Sequence, residues 1–407
     1  MKILLVLNKQ GREIVENARR ILLSILPKDI EIEYLTIDAP IMSFTNPEII
    51  RRMVLNYLHK VEKKPDLIIL PYNFRKIKHR VLRLENVPII EGPKNIVDVV
   101  AVVLYLNDRS LEELLKNLES YEIDRVVRDY KCVIENYVLS NLSNLAKYRL
   151  KISSRLTVTD VIPLIDAEII DATLRSVEEC VNIARYYVDS GADIIDIGCV
   201  AGDPKPWRIR EIVRGIRREI GDIPISIDTF SENEIKEGLK ADVDIVLSYT
   251  LSKLKASDIK FNDIGVVIVP ETFNNLVSYF EESCKLVEKK GGVPIVDPLI
   301  APPLFGLSHS IERIVRLREA FPDRPMLVGV GNVTELIDVD SVGVNGVLAV
   351  IAVEQKVNIL LTTEASMKCR GAVRELKIAL EMCALAKVLH KYPKDMCRSL
   401  LLAKRKW

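Results

Sequence analysis

Residues 192–198 read Ala-Asp-Ile-Ile-Asp-Ile-Gly, and residues 223–229 read Ile-Pro-Ile-Ser-Ile-Asp-Thr. Both are short, nearly continuous apolar runs that end on an acidic or small residue. Between them, WRIREIVRGIRREIG (207–221) repeats its apolar residues every three to four positions, and SVEECVNIARYYVDSG (176–191) does the same ahead of the first run. That period is the signature of an amphipathic helix. Uninterrupted apolar strands are what a sheet covered on both faces requires, and parallel strands need a crossover helix between them. The unit recurs along the chain. VIPLIDAEIID (161–171) precedes it, and VDIVLSY (243–249), GVVIVPE (265–271), GVPIVDP (292–298), PMLVGVG (325–331) and VNILLTTE (357–364) follow. Eight strand–helix units in series predict a (β/α)8 TIM barrel over residues 158–390. An open doubly wound sheet rarely needs so many.

Upstream, KILLVLN (2–8), IEIEYLTID (30–38), DLIILPY (66–72) and VPIIEGP (87–93) alternate with the helical stretches 13–26 and 47–64. The pattern predicts a small parallel α/β domain over residues 1–110. Residues 111–157 turn polar and helical and are expected to form a connector, without the Gly/Ser composition of a free linker. Residues 391–407 are left as a tail. The turn at 8–12 holds one glycine, Gly11, and no G-x-G-x-x-G or Walker pattern, so a nucleotide site is not expected there. This domain is expected to cover or flank the barrel mouth, or to build an oligomer interface, with a homodimer as the assembly in view.

Fifty-eight Lys+Arg against 57 Asp+Glu leave a net charge of +1 over 407 residues. That balance provides no basic field for nucleic acid. No apolar run reaches the roughly 18 residues of a membrane span. The first residues read as a strand and lack a signal-peptide cleavage site, so the expected compartment is the cytoplasm. Seven cysteines (132, 180, 199, 284, 369, 383, 397) are odd in number and never in a C-x-x-C pair. Neither a disulfide framework nor a thiolate zinc site is expected from them. The four histidines lack metal-ligand spacing, and no metal site is assigned.

In a TIM barrel the chemistry sits at the C-terminal ends of the strands. Those ends carry Asp166, Glu168 and Asp171, then Asp196, Asp228, Ser248 with Tyr249, Glu271, Asp297, Asn332, and Thr363 with Glu364. One such Asp is often just a helix cap. A succession of them suits a heterocycle rich in N–H donors, because carboxylates accept paired hydrogen bonds from an amino-pyrimidine edge.

GADIIDIG, then PISIDT, a strand ending in SY, and PIVDP together resemble the pterin-binding family of dihydropteroate synthases and methyltetrahydrofolate–corrinoid methyltransferases. With the extra N-terminal domain, the chain looks most like the archaeal dihydropteroate synthase-related proteins. The resemblance implies a transferase of folate or tetrahydromethanopterin one-carbon metabolism, with a reduced pterin as substrate or ligand and Mg²⁺ as a candidate companion. It places Asp228 at the pterin pocket, Asp297 on the amino-pyrimidine edge and Asp196 in support.

The departures from the synthases lie at Ser248, where they have Asn, at Gly331-Asn332-Val333-Thr334, where they have Ser-Arg-Lys, and at Thr362-Thr363-Glu364, where they have Arg-x-His. The first-strand Asn is replaced by Asp166 and Glu168. Losing that Lys, Arg and His removes the positive charge that a leaving pyrophosphate needs. Asn332 resembles the methyltransferase branch, where an Asn amide faces the pterin ring; a corrinoid protein would then be the partner. Asn332 and Asp228 are the expected catalytic pair, with Asp196, Ser248, Asp297 and Lys205 as further pterin contacts. A pterin-binding protein without catalysis is the remaining reading. Trp207 is expected to staple the following helix.

Overall fold

The computed structural model describes residues 1–39, 46–72 and 81–401. It divides into two compact units, one of residues 1–141 with 385–397, the other of residues 142–384 with those from Arg398 on.

In the first unit, β1 (Lys2–Asn8), α1 (Lys9–Ile21), β2 (Glu31–Ile37), α2 (Pro47–Lys60), β3 (Leu67–Leu70), β4 (Val81–Leu84) and β5 (Val87–Glu91) build a sheet of order β2-β1-β3-β5-β4. Leu4, Val6, Ile50, Val54 and Ile68 fill the layer between sheet and helix. The sheet is parallel except for β4, which pairs antiparallel with β5. Sequence reading passed over β4 because VLRL is mostly exposed at an edge. Helices α3 (Val99–Asp108), α4 (Leu111–Ser120), α5 (Ile123–Val126) and α6 (Arg128–Ser140) complete this unit, so residues 111–141 of the expected connector lie within it.

The segment 385–397, part of it the expected tail, also lies here; residues 402–407 fall outside the described set. Lys391 Nζ reaches Glu135 at 2.9 Å and Asp98 at 3.4 Å, while Lys131 Nζ holds Asp98 at 2.8 Å and Asp124 at 3.1 Å. Beside this buried network Cys132 and Cys397 form a disulfide. That corrects the expectation of thiols only. The partners are 265 residues apart, and no spacing rule sees a pair made by a returning chain end.

The second unit opens with an antiparallel hairpin, β6 (Arg149–Lys151) and β7 (Thr157–Thr159), too short to register as strands in the sequence. Then β8 (Leu164–Ile169), α7 (Val177–Ser190), β9 (Ile194–Gly198), α8 (Pro206–Ile220), β10 (Ile225–Asp228), α9 (Glu232–Lys240), β11 (Ile245–Tyr249) and α10 (Leu251–Ala256) alternate. The pattern continues through β12 (Gly265–Ile268), α11 (Leu276–Lys289), β13 (Val293–Val296), α12 (Leu307–Ala320), β14 (Leu327–Gly329), α13 (Gly331–Thr334), α14 (Ser341–Glu354), β15 (Ile359–Thr363) and α15 (Ala372–Val388). The eight strands run parallel in the order β13-β12-β11-β10-β9-β8-β15-β14. A parallel bridge from Val296 to Met326, with Val296 N–H donating to Pro325 O at 2.9 Å, closes the ring. This is the (β/α)8 barrel read from the sequence.

Side chains alternate between the two faces of each strand. Ile195, Ile197, Ile225, Ile227 and Val246 point outward under the helices. Ile194, Ile245, Ile295, Leu327 and Ile359 point inward near the strand starts, where Ile152, Leu156 and Val158 of the hairpin region pack on them. The barrel floor is thus sealed by aliphatic groups, and polar side chains are left for the upper interior.

Thiol titration of the denatured, unreduced chain is expected to give five groups, Cys180, Cys199, Cys284, Cys369 and Cys383, and seven after reduction. Seven before reduction would disprove the bridge.

Candidate functional site

Above the aliphatic floor the inward positions become acidic. Asp166 and Asp196 are fully buried. Ser226, inward-facing on β10, donates its hydroxyl to Asp166 at 2.9–3.0 Å. Its proton is thereby committed, and neither oxygen of Asp196 has a hydrogen-bond partner among the described residues. Burial, then the charges of Asp166, Asp228 and Glu168, push Asp196 well above the usual carboxylate range. Burial also lifts Asp166 to about 7.

Glu168 lies one step higher on β8. A Cβ at Gly198 would stand 2.4 Å from its Oε1, so the glycine that ends β9 is what admits this carboxyl. Burial and Asp228 raise Glu168 to about 7. Asp228 is raised too, by burial, against the Ser248 hydroxyl and the Lys253 charge. Ser248 sits at φ 66°, where the β11–β12 register breaks between Val246 and Tyr249. Such an irregularity re-aims a side chain at a strand end, here toward Asp228.

Asp297, only 7% exposed, accepts the Leu299 N–H at 2.8 Å and so caps its own loop. Burial lifts it to about 7, against that hydrogen bond and the nearby Arg313. Asn332 is exposed and donates from Nδ2 to Ile300 O at 3.1 Å; it ties the loop after β14 to the loop after β13. Lys205 pairs through Nζ with Asp203, and its backbone N–H donates to Glu234 at 2.7 Å. Trp207 is 64% exposed rather than stapled against a helix.

A 380 Å³ cavity opens at this end of the barrel, lined by Glu168 and Asp228 together with Cys199, Thr229, Phe230 and Glu234. Asp228 and Glu168 therefore share a wall. Asp196, Ser248, Asp297, Asn332 and Lys205 do not line it, although Asp196 and Asp297 both feel the Asp228 charge. Burial and three acidic neighbours push the Cys199 thiol up, which removes it as a nucleophile. A second cavity of 350 Å³ lies by the ends of β8 and β15, with Arg175, Tyr186, Thr363 and Arg370 in its wall. Glu364, also there, is spent on capping: it accepts the backbone N–H groups of Gly371 at 2.8 Å and Val373 at 3.0 Å.

Two cations near the mouth escaped the sequence reading because both are on helices. Lys253 Nζ on α10 is buried with no hydrogen-bond partner, 4.5 Å from the Tyr249 ring centroid and 5.9 Å from that of Phe230. Arg313 on α12 donates to Pro298 O at 3.1 Å and stacks 4.1 Å over Phe273. Only the placement of Lys253 one turn beyond a strand end signals it in the sequence. Phe230, Phe273, Phe305 and Met367 stand exposed on the loops after β10, β12, β13 and β15. They rim the acidic interior with apolar groups. Among the described residues, no group of three or more His, Cys, Asp or Glu side chains is placed to hold a metal ion, and no helix is long and apolar enough to cross a membrane.

Residues 166–290 match the family of pterin binding enzymes. An uncharacterized protein of Methanocaldococcus jannaschii is 37% identical over 268 residues, which cover 62% of this chain and 51% of that protein. The chain thus spans about half the length of the curated relative it matches. Among solved structures, Yersinia pestis DHPS with a pterine-sulfa conjugate is 17% identical, covering 59% of this chain and 99% of that one at a TM-score of 0.46. The 7,8-dihydropteroate synthase of Vibrio fischeri is 18% identical, with 58% and 97% covered and a TM-score of 0.45. The matched residues take in the GADIIDIG and PISIDT motifs and the strand ending in SY, while PIVDP lies beyond them.

Asp166, Glu168 and Asp297 titrate near 7 in the folded chain, against roughly 4 when unfolded. Between those values the folded state holds more protons. Its stability falls as pH rises through the window, and the full penalty persists above it. Asp196→Asn removes one of the interacting charges, so its melting temperature should gain on wild type more at pH 8 than at pH 4.5. An equal difference at both pH values would show that Asp196 carries no such penalty.

Proposed function

We propose that the barrel binds a reduced pterin, of the folate or tetrahydromethanopterin type, and acts on it as a dihydropteroate synthase-like transferase of one-carbon-carrier metabolism. The observation that carries this reading is a set of carboxyl groups at this end of the barrel, the buried Asp196 and Asp297 and the half-buried Glu168 and Asp228, with no ion-pair partner among the described residues. A ligand that presents several N–H groups on one flat edge relieves that arrangement, because each N–H it donates replaces a missing partner. Carboxyl groups poised near neutrality can give a proton to a ring nitrogen or accept one from an amino group. The exposed Phe230 and Phe273 offer faces for a flat ring.

Charge supports one reaction within that class over another. No Lys, Arg or His stands where the synthases place theirs on the seventh and eighth strands, which favours methyl transfer to or from a reduced pterin over pyrophosphate displacement. A corrinoid protein is the partner under that reading. Asn332, held by Ile300, then positions the loop beside the pterin, while Asp228 is the group proposed to meet the ring. Lys205 and Ser248 are proposed at the edge of the site. Mg²⁺ has no step in this scheme. The setting proposed is the cytoplasm, with a homodimer as the assembly.

Titration calorimetry with 7,8-dihydropterin and tetrahydropterin tests the ligand. Asp297→Ala should weaken binding about tenfold or more, the value of one charge-assisted hydrogen bond. Asp297→Asn should fall between, since its amide offers one acceptor and one mismatched donor. Equal binding by Asp297→Ala would move the pocket elsewhere; no binding by wild type would remove pterin as the ligand. Pyrophosphate release from a pterin pyrophosphate and an arylamine, assayed beside methyl exchange from a methylated tetrahydropterin, separates the two reactions.

A further inference from the structure

The sheet of the first unit reverses its direction of winding between β1 and β3. The chain leaves β1 toward β2 on one side and later adds β3 and β5 on the other, giving the order β2-β1-β3-β5-β4. Connections therefore diverge from the C-terminal ends of β1 and β3, and in open α/β sheets that divergence leaves a crevice in which ligands bind. Here the crevice is a cavity of 930 Å³, larger than either cavity of the barrel mouth and within the size range of small-molecule sites. Every residue that lines it belongs to the first unit.

Its walls have a definite chemistry. Gln10, Glu13, Ile14 and Asn17 recur at helical spacing, so one face of α1 borders the cavity. Pro71 and Tyr72 follow β3, Pro93 and Lys94 follow β5, and residues 390–392 supply the remaining wall. Tyr72 and Tyr392 are 41% and 81% exposed, and they offer aromatic faces at the cleft for a flat group to stack on. Carboxamides offer both donors and acceptors to a heterocycle edge.

Charge decides how anionic the occupant is. Lys391 turns away into Glu135 and Asp98, which leaves Lys94, itself 3.8 Å from Glu122, against Glu13. Among the described residues its wall is close to neutral. The first turn of α1 carries no acidic side chain, and its Asn8 cap takes the Gly11 N–H. The positive end of that helix dipole can hold one anionic group, and among the described wall residues no cluster of cations matches a polyphosphate. The missing glycine-rich cradle fits the same limit, since that cradle serves to wrap a diphosphate.

We propose that this cleft is a second ligand site, separate in chemistry from the barrel mouth, that binds a nucleoside or nucleoside 5′-monophosphate with its base against the tyrosines and its edge on Asn17 and Gln10. The test is titration calorimetry on the full chain with adenosine, guanosine, their 5′-monophosphates and their 5′-triphosphates. At least one nucleoside or monophosphate should bind. Tyr392→Ala and Asn17→Leu should each weaken it at least about tenfold, the loss expected for one stacked base, with the circular dichroism spectrum unchanged. Asp196→Asn should bind it as wild type does, and the triphosphate should bind no more than about threefold tighter than the monophosphate. Failure of every probe to bind, full binding in both cleft variants, loss of binding in Asp196→Asn, or a triphosphate preference of tenfold or more would each overturn the proposal. So would displacement of the nucleoside by 7,8-dihydropterin, which would make the cleft a pterin site.

Discussion

Closing eight strands into a ring gathers Asp166, Glu168, Asp196, Asp228 and Asp297 at one end of the barrel, with no ion-pair partner for any of them among the described residues. Burial raises all five carboxyl groups, and the charge of a neighbouring acid adds to that at Asp166, Glu168, Asp196 and Asp297. The folded chain therefore holds protons on these groups to higher pH than exposed carboxyl groups would. Much of the surrounding structure accommodates that state. Ser226 spends its hydroxyl on Asp166, Gly198 yields its side-chain volume to Glu168, and the break in the β11–β12 register brings Ser248 to Asp228. A stable but inert barrel would fill these positions with branched aliphatic residues, as this one does at its floor. These acids cost stability that an aliphatic interior would not, and under the proposed function a ligand's N–H groups offset part of that cost.

The fold was legible because strands covered on both faces must be apolar throughout, and helices on the outside must repeat every three to four residues. ADIIDIG and PISIDT obey the first rule, and WRIREIVRGIRREIG the second. Legibility failed where a strand was too short or too exposed to obey either rule, as in the β6–β7 hairpin and in β4. It failed again for the Cys132–Cys397 bridge, since a contact between a helix and a chain end hundreds of residues away leaves no local trace.

At the site, position along a strand identified Asp196, Asp228 and Asp297, yet what each does is a matter of neighbours. Asp297 caps Leu299, Asn332 holds Ile300, and Lys205 answers Asp203, none of which the strand-end rule anticipates. Glu168 gained its place through a glycine on the adjacent strand, a dependence visible only once the two are in register. Lys253 and Arg313 were invisible for the opposite reason. They lie on helices, where a cation is ordinarily solvated, and only the turn of each helix onto the mouth brings them to Tyr249 and Phe273.

The bridge between Cys132 and Cys397 has a consequence beyond holding two segments together. It makes the polypeptide from α6 through the whole barrel to residue 397 a covalent ring. A protease that cuts any barrel loop once opens the ring without releasing a fragment, and both new ends stay tethered to the same molecule. When the barrel unfolds, its strands remain confined within a loop whose ends are joined, so the number of ways it can lose itself is smaller than for a linear chain of equal length. In topological terms, the barrel half of this protein is carried as a closed circuit rather than as a strand with a loose end.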